Sequence, residues 1–274
     1  MRIAVTGGNG NMGRSLIPYL LEQNHTVVSI DRALSTDHMR GVDFLIADTR
    51  DFGQFAASIH GCDALIHLAA IRAPGNHPDQ VVYADNTVSS YNALSAASML
   101  GIKRVCLASS INAIGGAFSR SPQYDYFPVD EQHATYTEDP YSLSKWVLEQ
   151  QADAFARRFE CMTIASLRLH WLLDSRERAL QSTATMGPVA IRHLWAYTLL
   201  SEASRAFLLS LTADFTGHEV FYVAAPHTAS TIPSLELAQE HYPHTEIRGD
   251  FSNHMGFFNC AKAGRLLGWK HQEN

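Results

Sequence analysis

The chain has 274 residues, of which 46% are apolar and 18% charged, the mixture of an ordinary globular protein rather than a disordered or fibrous one. Its 27 acidic and 21 basic side chains leave a net charge of -6, so no basic face is available to replace counterions along a nucleic-acid backbone. No apolar run approaches the roughly 18 residues a membrane-spanning helix needs, and the chain enters a strand pattern at Arg2 without a signal-like leader; the expectation is a cytoplasmic protein with no membrane or nucleic-acid partner.

In chain order, Ile3 to Thr6 reads as a strand, Met12 to Glu22 as a helix and Val27 to Asp31 as a second strand. Val42 to Ala47 and Ala64 to His67 read as buried strands, with Phe52 to Ile59 helical between them. A long helix over Val81 to Leu100, a strand over Arg104 to Ala108, a second long helix over Tyr141 to Phe159 and a strand over Thr163 to Leu169 follow. This alternation predicts an α/β fold, a doubly wound parallel sheet with right-handed crossovers. Beyond it, Leu172 to Met186 reads as polar and irregular, Val189 to Leu211 as helical, Val220 to Ala224 as a strand and Ala261 to Leu267 as a terminal helix. The organisation expected is a dinucleotide-binding Rossmann domain over residues 1–170, with a small substrate cap over 171–274 interwoven with it as one structural unit.

The first strand runs into Gly7-Gly8-Asn9-Gly10-Asn11-Met12-Gly13, which opens a helix. In that context the glycines let the backbone reverse, approach a pyrophosphate and pack helix on strand, while the helix N-terminus faces the negative charge. Asp31 ends the second strand roughly 20 residues beyond the loop, where an acid accepts a ribose hydroxyl and repels a 2′-phosphate. That favours NAD over NADP, although the Arg32 guanidinium beside it suits a phosphate. No Gly-Lys-Ser/Thr follows the glycines, which excludes a Walker loop.

Tyr141 and Lys145 stand one helical turn apart, after Asp139-Pro140. An ammonium so placed favours a phenolate and lowers the tyrosine pKa, making proton transfer to or from a substrate hydroxyl feasible. The four cysteines, Cys62, Cys106, Cys161 and Cys260, form no C-x-x-C pair and read as reduced, mostly buried thiols. His241, His244 and His254 lack ligand spacing, so no metal is expected.

Together these features resemble the extended short-chain dehydrogenase/reductase family, the NAD-dependent epimerase/dehydratases, over nearly the whole chain. The matching segments are Thr6 to Gly13, Asp48 after the third strand, His67-Leu68-Ala69-Ala70, Asn86, Ser109-Ser110, Tyr141 to Lys145, and Lys262 to Trp269. The resemblance implies Tyr141 as general acid/base, Lys145 bonding the nicotinamide ribose, and Ser110 holding the reacting oxygen. It places Gly7, Asn9, Gly10, Asn11, Met12 and Gly13 at the pyrophosphate, Asp31 and Arg32 at the adenosine ribose, Asp48 and Thr49 at adenine, and Leu68, Ala69 and Ala70 along ribose and phosphate. Ser109 completes the cofactor set, with Asn86 either supporting the site or only packing. Arg72, Asn112 and His170 are the substrate candidates, Arg72 as a fork for a carboxylate or a plain surface arginine, His170 as a contact to nicotinamide or substrate or a packed ring.

Dehydratases of this family carry an acidic pair after the catalytic Ser, where this chain has Ile111-Asn112. Its nucleotide-sugar epimerases show Arg-x-x-Asn-Val-x-Gly-Pro, where this chain has Arg168-Leu169-His170-Trp171-Leu172-Leu173-Asp174. In length, short cap and a Ser-Ser-x-x-x-Ile-Gly segment the chain is nearest to uronate dehydrogenases, which have an Asn-His pair where Ile111 and Asn112 stand. Expected is hydride transfer between nicotinamide and a small sugar-like or other secondary alcohol. An epimerase that returns its hydride and a non-catalytic NAD(H) sensor are the alternatives. Phe118 to Gln132, rich in aromatics and Pro, reads as a loop over the pocket or as a plain surface loop, and the two long helices resemble the pair the family uses in a homodimer, with Tyr91, Leu94, Trp146 and Val147 as contacts or as core.

Overall fold

A computed structural model describes residues 1–34 and 39–272. In chain order the elements are β1 (Arg2–Thr6), α1 (Asn11–Glu22), β2 (Thr26–Asp31), β3 (Val42–Ile46), α2 (Phe52–Ser58), β4 (Ala64–His67), α3 (Asp79–Met99), β5 (Arg104–Ser110) and a 3-10 turn at Ile111–Ile114. They continue with β6 (Tyr126–Phe127), α4 (Pro140–Arg158), β7 (Thr163–Leu169), β8 (Leu172–Leu173), α5 (Arg176–Met186), α6 (Pro188–Arg192), β9 (Thr198–Leu199) and α7 (Leu200–Thr212). The last are β10 (Gly217–Val223), α8 (Ser234–His241), β11 (Glu246–Ile247) and α9 (Ala261–Leu267).

Seven strands form one sheet in the order β3-β2-β1-β4-β5-β7-β10, and every pairing is parallel. Parallel strands need helical crossovers, so both faces are covered and the central strands are apolar throughout, as in Ile3, Ala4 and Val5, all fully buried. Leu16, Leu20, Phe207, Leu267 and Trp269 pack α1, α7 and α9 on one face; Phe55, Leu94, Ile102, Leu148 and Phe155 bring α2, α3 and α4 onto the other. The strand order reverses between β1 and β4, and a crevice opens there outside the carboxyl ends of the strands.

Three local expectations are corrected. β3 is an edge strand rather than a buried one, with Ile46 61% exposed, because no strand among the described residues lies beyond it. The stretch read as irregular contains the helix Arg176–Met186, capped by the Ser175 hydroxyl accepting from Arg178 N. It buries only Ala179 and Thr183, so it lacks the apolar stripe by which helices are read. The single helix expected from Val189 to Leu211 is α6, a turn, β9 and α7. The turn is made by Leu194 and Trp195, both left-handed at φ 51° and 49°, a conformation costing non-glycine residues about 1–2 kcal/mol each. Their burial, at 0% and 7% exposed, is what holds them there. The strand expected near Val220 pairs with β7 as the seventh strand of the sheet. Cys62 and Cys106 are buried and Cys260 half-buried, but Cys161 is exposed; all four are free.

Candidate active site at the sheet switch point

β1 delivers Thr6 to the crevice, and the chain turns at Gly7, whose φ of +69° suits glycine and whose N–H donates to Ile30 O at 2.8 Å. The turn closes with Gly10 N donating to Gly7 O at 3.0 Å, and α1 begins at Asn11. A Cβ on Gly13 would meet Gly8 O at 2.5 Å, Gly8 Cα at 2.6 Å and Gly7 O at 2.7 Å, all backbone atoms that cannot swing away. Gly13→Ala is therefore expected to cost about 1–3 kcal/mol of stability and to weaken dinucleotide binding at least roughly tenfold by reshaping the loop. Titration with NADH followed by fluorescence checks this, and an unchanged affinity would refute it. Asp31 accepts Asn9 N at 3.0 Å and Arg32 N at 2.7 Å, tying the loop to the end of β2.

Two cavities of about 410 and 490 Å³ adjoin across this loop and share Gly7, Gly10, Asn11, Leu68, Ala70 and Arg72. The larger reaches Asn9, Asp31, Arg32, Asp48, Thr49 and Ala69. There Asp48 is held near a pKa of about 2 by the Arg50 guanidinium, and the Thr49 hydroxyl lies 2.6 Å from Ser89 Oγ. The smaller reaches Met12, Gly13, Ser109, Ser110, Asn112, Tyr141, Lys145 and His170. An elongated cleft with a glycine cradle at its centre, an acid at one end and a Tyr-Lys pair at the other fits a dinucleotide such as NAD.

In the smaller cavity Tyr141 stands edge-on to Phe118 at 5.6 Å, so Phe118 lines the pocket, whereas Tyr124, Phe127 and Val129 of the segment expected over it pack into a buried cluster. Burial pushes the phenol up to about 12, against the Ser110 hydroxyl bonded to it and the nearby Arg72 charge, which lower it. Lys145 Nζ lies 5.7 Å from the Tyr141 ring centroid and donates to Ala108 O at 2.7 Å. Burial brings this ammonium down to about 8 while Glu149 supports its charge. The expectation of a lowered Tyr141 pKa is thus reversed in the protein alone: desolvation dominates, and the opposing pull comes from Ser110 and Arg72.

Asn86 does not line the cleft. It accepts Ile71 N at 2.8 Å and donates to Ile71 O and Ser144 Oγ, each at 3.0 Å, bracing the loop after β4 against α4. The Ser109 hydroxyl points away, donating to Glu149 at 2.6 Å. Asn112 holds the turn around it, accepting Ala117 N at 2.9 Å. His170 accepts Trp171 N on Nδ1 at 2.6 Å, so its Nε2 carries the proton and donates to His193 O at 2.8 Å; neither nitrogen is left for a ligand. Arg72 is exposed, lines both cavities and has no hydrogen-bond or ion-pair partner among the described residues. Sequence reasoning missed Arg14, Trp171 and His193 as lining residues. Arg14 sits one residue past the glycine motif, and His193 was hidden inside an expected helix.

The NAD dependent epimerase/dehydratase family matches residues 3–192, more than half of the chain and all of this cleft's lining except His193. The chain belongs to that family. A putative dihydroflavonol 4-reductase of Synechocystis is 30% identical over 167 residues, covering 59% of this chain and 47% of that protein, so the chain spans about half the length of such curated relatives. Among solved structures, a mutated uronate dehydrogenase superposes with a TM-score of 0.71 at 20% identity, over 100% of this chain and 82% of that one. UDP-glucose 4-epimerase from Bifidobacterium longum, solved with NAD+ and UDP, gives 0.74 at 18% identity, over 100% and 94%. At such identities the likeness establishes the fold.

Two buried histidines bear on acid stability. Desolvation brings His67 and His170 from the ordinary 6.5 down to about 3, His67 with help from the Lys145 charge and His170 from His193. The unfolded chain therefore takes up these protons first, so stability is fully present above pH 6.5 and is lost as pH falls from 6.5 toward 3. The loss should be on the order of 1 kcal/mol per pH unit for each ring. Urea unfolding at pH 7 and pH 5 measures it; coincident midpoints would contradict it.

Proposed function

We propose that this chain is an NAD-dependent dehydrogenase that oxidises a secondary hydroxyl of a small, sugar-like substrate, with Tyr141 as acid/base. The observation that carries this reading is the meeting of Tyr141, Lys145 and Ser110 in one cavity continuous with the glycine loop and Asp31. NAD bound in the cleft supplies the hydride acceptor. Tyr141 as phenolate takes the hydroxyl proton, Ser110 holds the same oxygen, and Lys145 supports the phenolate and bonds the nicotinamide ribose. Asp31, already aimed at the loop, accepts the adenosine ribose hydroxyls and disfavours NADP.

A cavity of about 410 Å³ that also admits a nicotinamide suits a monosaccharide better than a nucleotide sugar, and the missing Asn and Gly-Pro after Arg168 point the same way. Residues 1–170 serve the cofactor and 171–274 chiefly the substrate. An epimerase would use the same residues but show no net NADH. The test is absorbance of NADH across aldoses, uronates and simple secondary alcohols, with NAD and NADP in parallel. NADH formed from one class supports the reading; tight NAD binding with no oxidation of any of them overturns it in favour of an epimerase or a sensor. A homodimer through α3 and α4 fits Val88 and Tyr91, 44% and 49% exposed, and Leu143, whereas Leu94 is core; sedimentation would measure it.

A further inference from the structure

His193 follows α6 and lines the same cavity as Tyr141 and Ser110. Its ring stacks on His170 at 5.3 Å and lies 6.0 Å from Trp171, so it is held in place from two sides. Neither of its nitrogens has a hydrogen-bond partner among the described residues; Nδ1 is enclosed within the protein, so Nε2 is the nitrogen left for a ligand. Polar atoms that leave bulk water are nearly always paired, so an unpartnered imidazole nitrogen in a pocket wall suits a ligand's polar group. Burial brings the ring down to about 4, with the Arg192 charge adding to the shift, so it is neutral at physiological pH and offers one donor and one acceptor.

The backbone supports the same assignment. Directly after His193 come Leu194 and Trp195, two bulky residues held left-handed. That turn also points the His193 carbonyl at His170 Nε2. Strain of this kind persists where the surroundings enforce it and collects at functional positions. His170 is therefore the support and His193 the group presented to the cavity.

We infer that His193 is a specificity-determining residue that hydrogen-bonds a second hydroxyl of the substrate, so that the substrate class is polyhydroxylated compounds rather than isolated secondary alcohols. A hydroxyl can either accept from or donate to the one nitrogen of a neutral imidazole that it meets, so it suits either tautomer of His193. The inference rests on the dehydrogenase reading of this site.

The experiment compares wild type and His193→Phe on a panel of aldoses, uronates, their deoxy analogues and cyclohexanol, with NADH affinity measured separately. Expected is a preference of wild type for the polyhydroxylated members. In His193→Phe, kcat/KM for these falls about 10-fold to 100-fold, mainly through KM, and their advantage over deoxy analogues and cyclohexanol shrinks, while NADH affinity holds. His193→Gln, which keeps a donor and an acceptor, restores part of the preference. Should the Phe variant not fold, His193→Met makes the same comparison. If wild type oxidises the panel and neither variant changes its selectivity, this inference falls and the dehydrogenase reading stands. If wild type binds NADH yet oxidises no member, both fall together.

Discussion

Tyr141→Phe is expected to lower turnover by about 10²-fold to 10⁴-fold, the usual contribution of a positioned acid/base, while the protein still folds and binds NADH. The ring keeps its edge-on contact with Phe118, so only the phenol oxygen and its bond with Ser110 are lost. In wild type the phenol is pushed up to about 12 by burial and is protonated at neutral pH in the protein alone. Oxidation of an alcohol needs the phenolate, so its rate should rise as pH rises above neutrality, and the rise should vanish in the Phe variant. Initial rates across pH with one oxidisable substrate check both points. A variant that retains wild-type turnover would remove Tyr141 from the chemistry.

Glu149→Gln is expected to lower stability by about 3–5 kcal/mol, because it leaves a buried guanidinium without its counter-charge. Glu149 and Arg168 side chains are 3% and 5% exposed and paired at 2.8 Å. Glu149 also accepts the Ser109 hydroxyl at 2.6 Å and Arg168 Nε at 2.9 Å, and Arg168 donates to the Tyr222 hydroxyl at 3.1 Å. This cluster joins α4 to β5, β7 and β10 directly behind the Ser110 end of β5. The double change Glu149→Leu with Arg168→Met removes both charges and should recover much of the loss. Urea unfolding of the single and double variants measures the difference; a Gln variant as stable as wild type would show that the pair adds nothing.

The cofactor half of the cleft was legible in the sequence because its chemistry lies in short segments. The glycine loop, Asp31 and the Tyr141-Lys145 turn each occupy positions fixed by local strand and helix geometry. Glu149 carried a similar signal, one further turn along α4 from Lys145, but only its partner across the sheet shows what it does. The substrate half was less legible. His170 and Asn112 line the cavity, yet both His170 nitrogens are taken by Trp171 N and His193 O, and Asn112 Oδ1 by Ala117 N. No sequence period reveals how a side chain's hydrogen bonds are used.

Sequence by itself determined the alternation of the main strands and helices as far as β7, the site of the phosphate loop and the family, since burial on both faces of a parallel sheet leaves near-continuous apolar runs separated by amphipathic helices. Tertiary structure alone decided that β3 is an edge, that β10 closes the main sheet, that desolvation rather than Lys145 governs the Tyr141 pKa, and that His193 reaches the cavity. Each of these depends on which surfaces meet through space. Local periodicity registers that a residue is apolar or polar, whereas exposure, desolvation and hydrogen-bond pairing arise only when distant segments pack together.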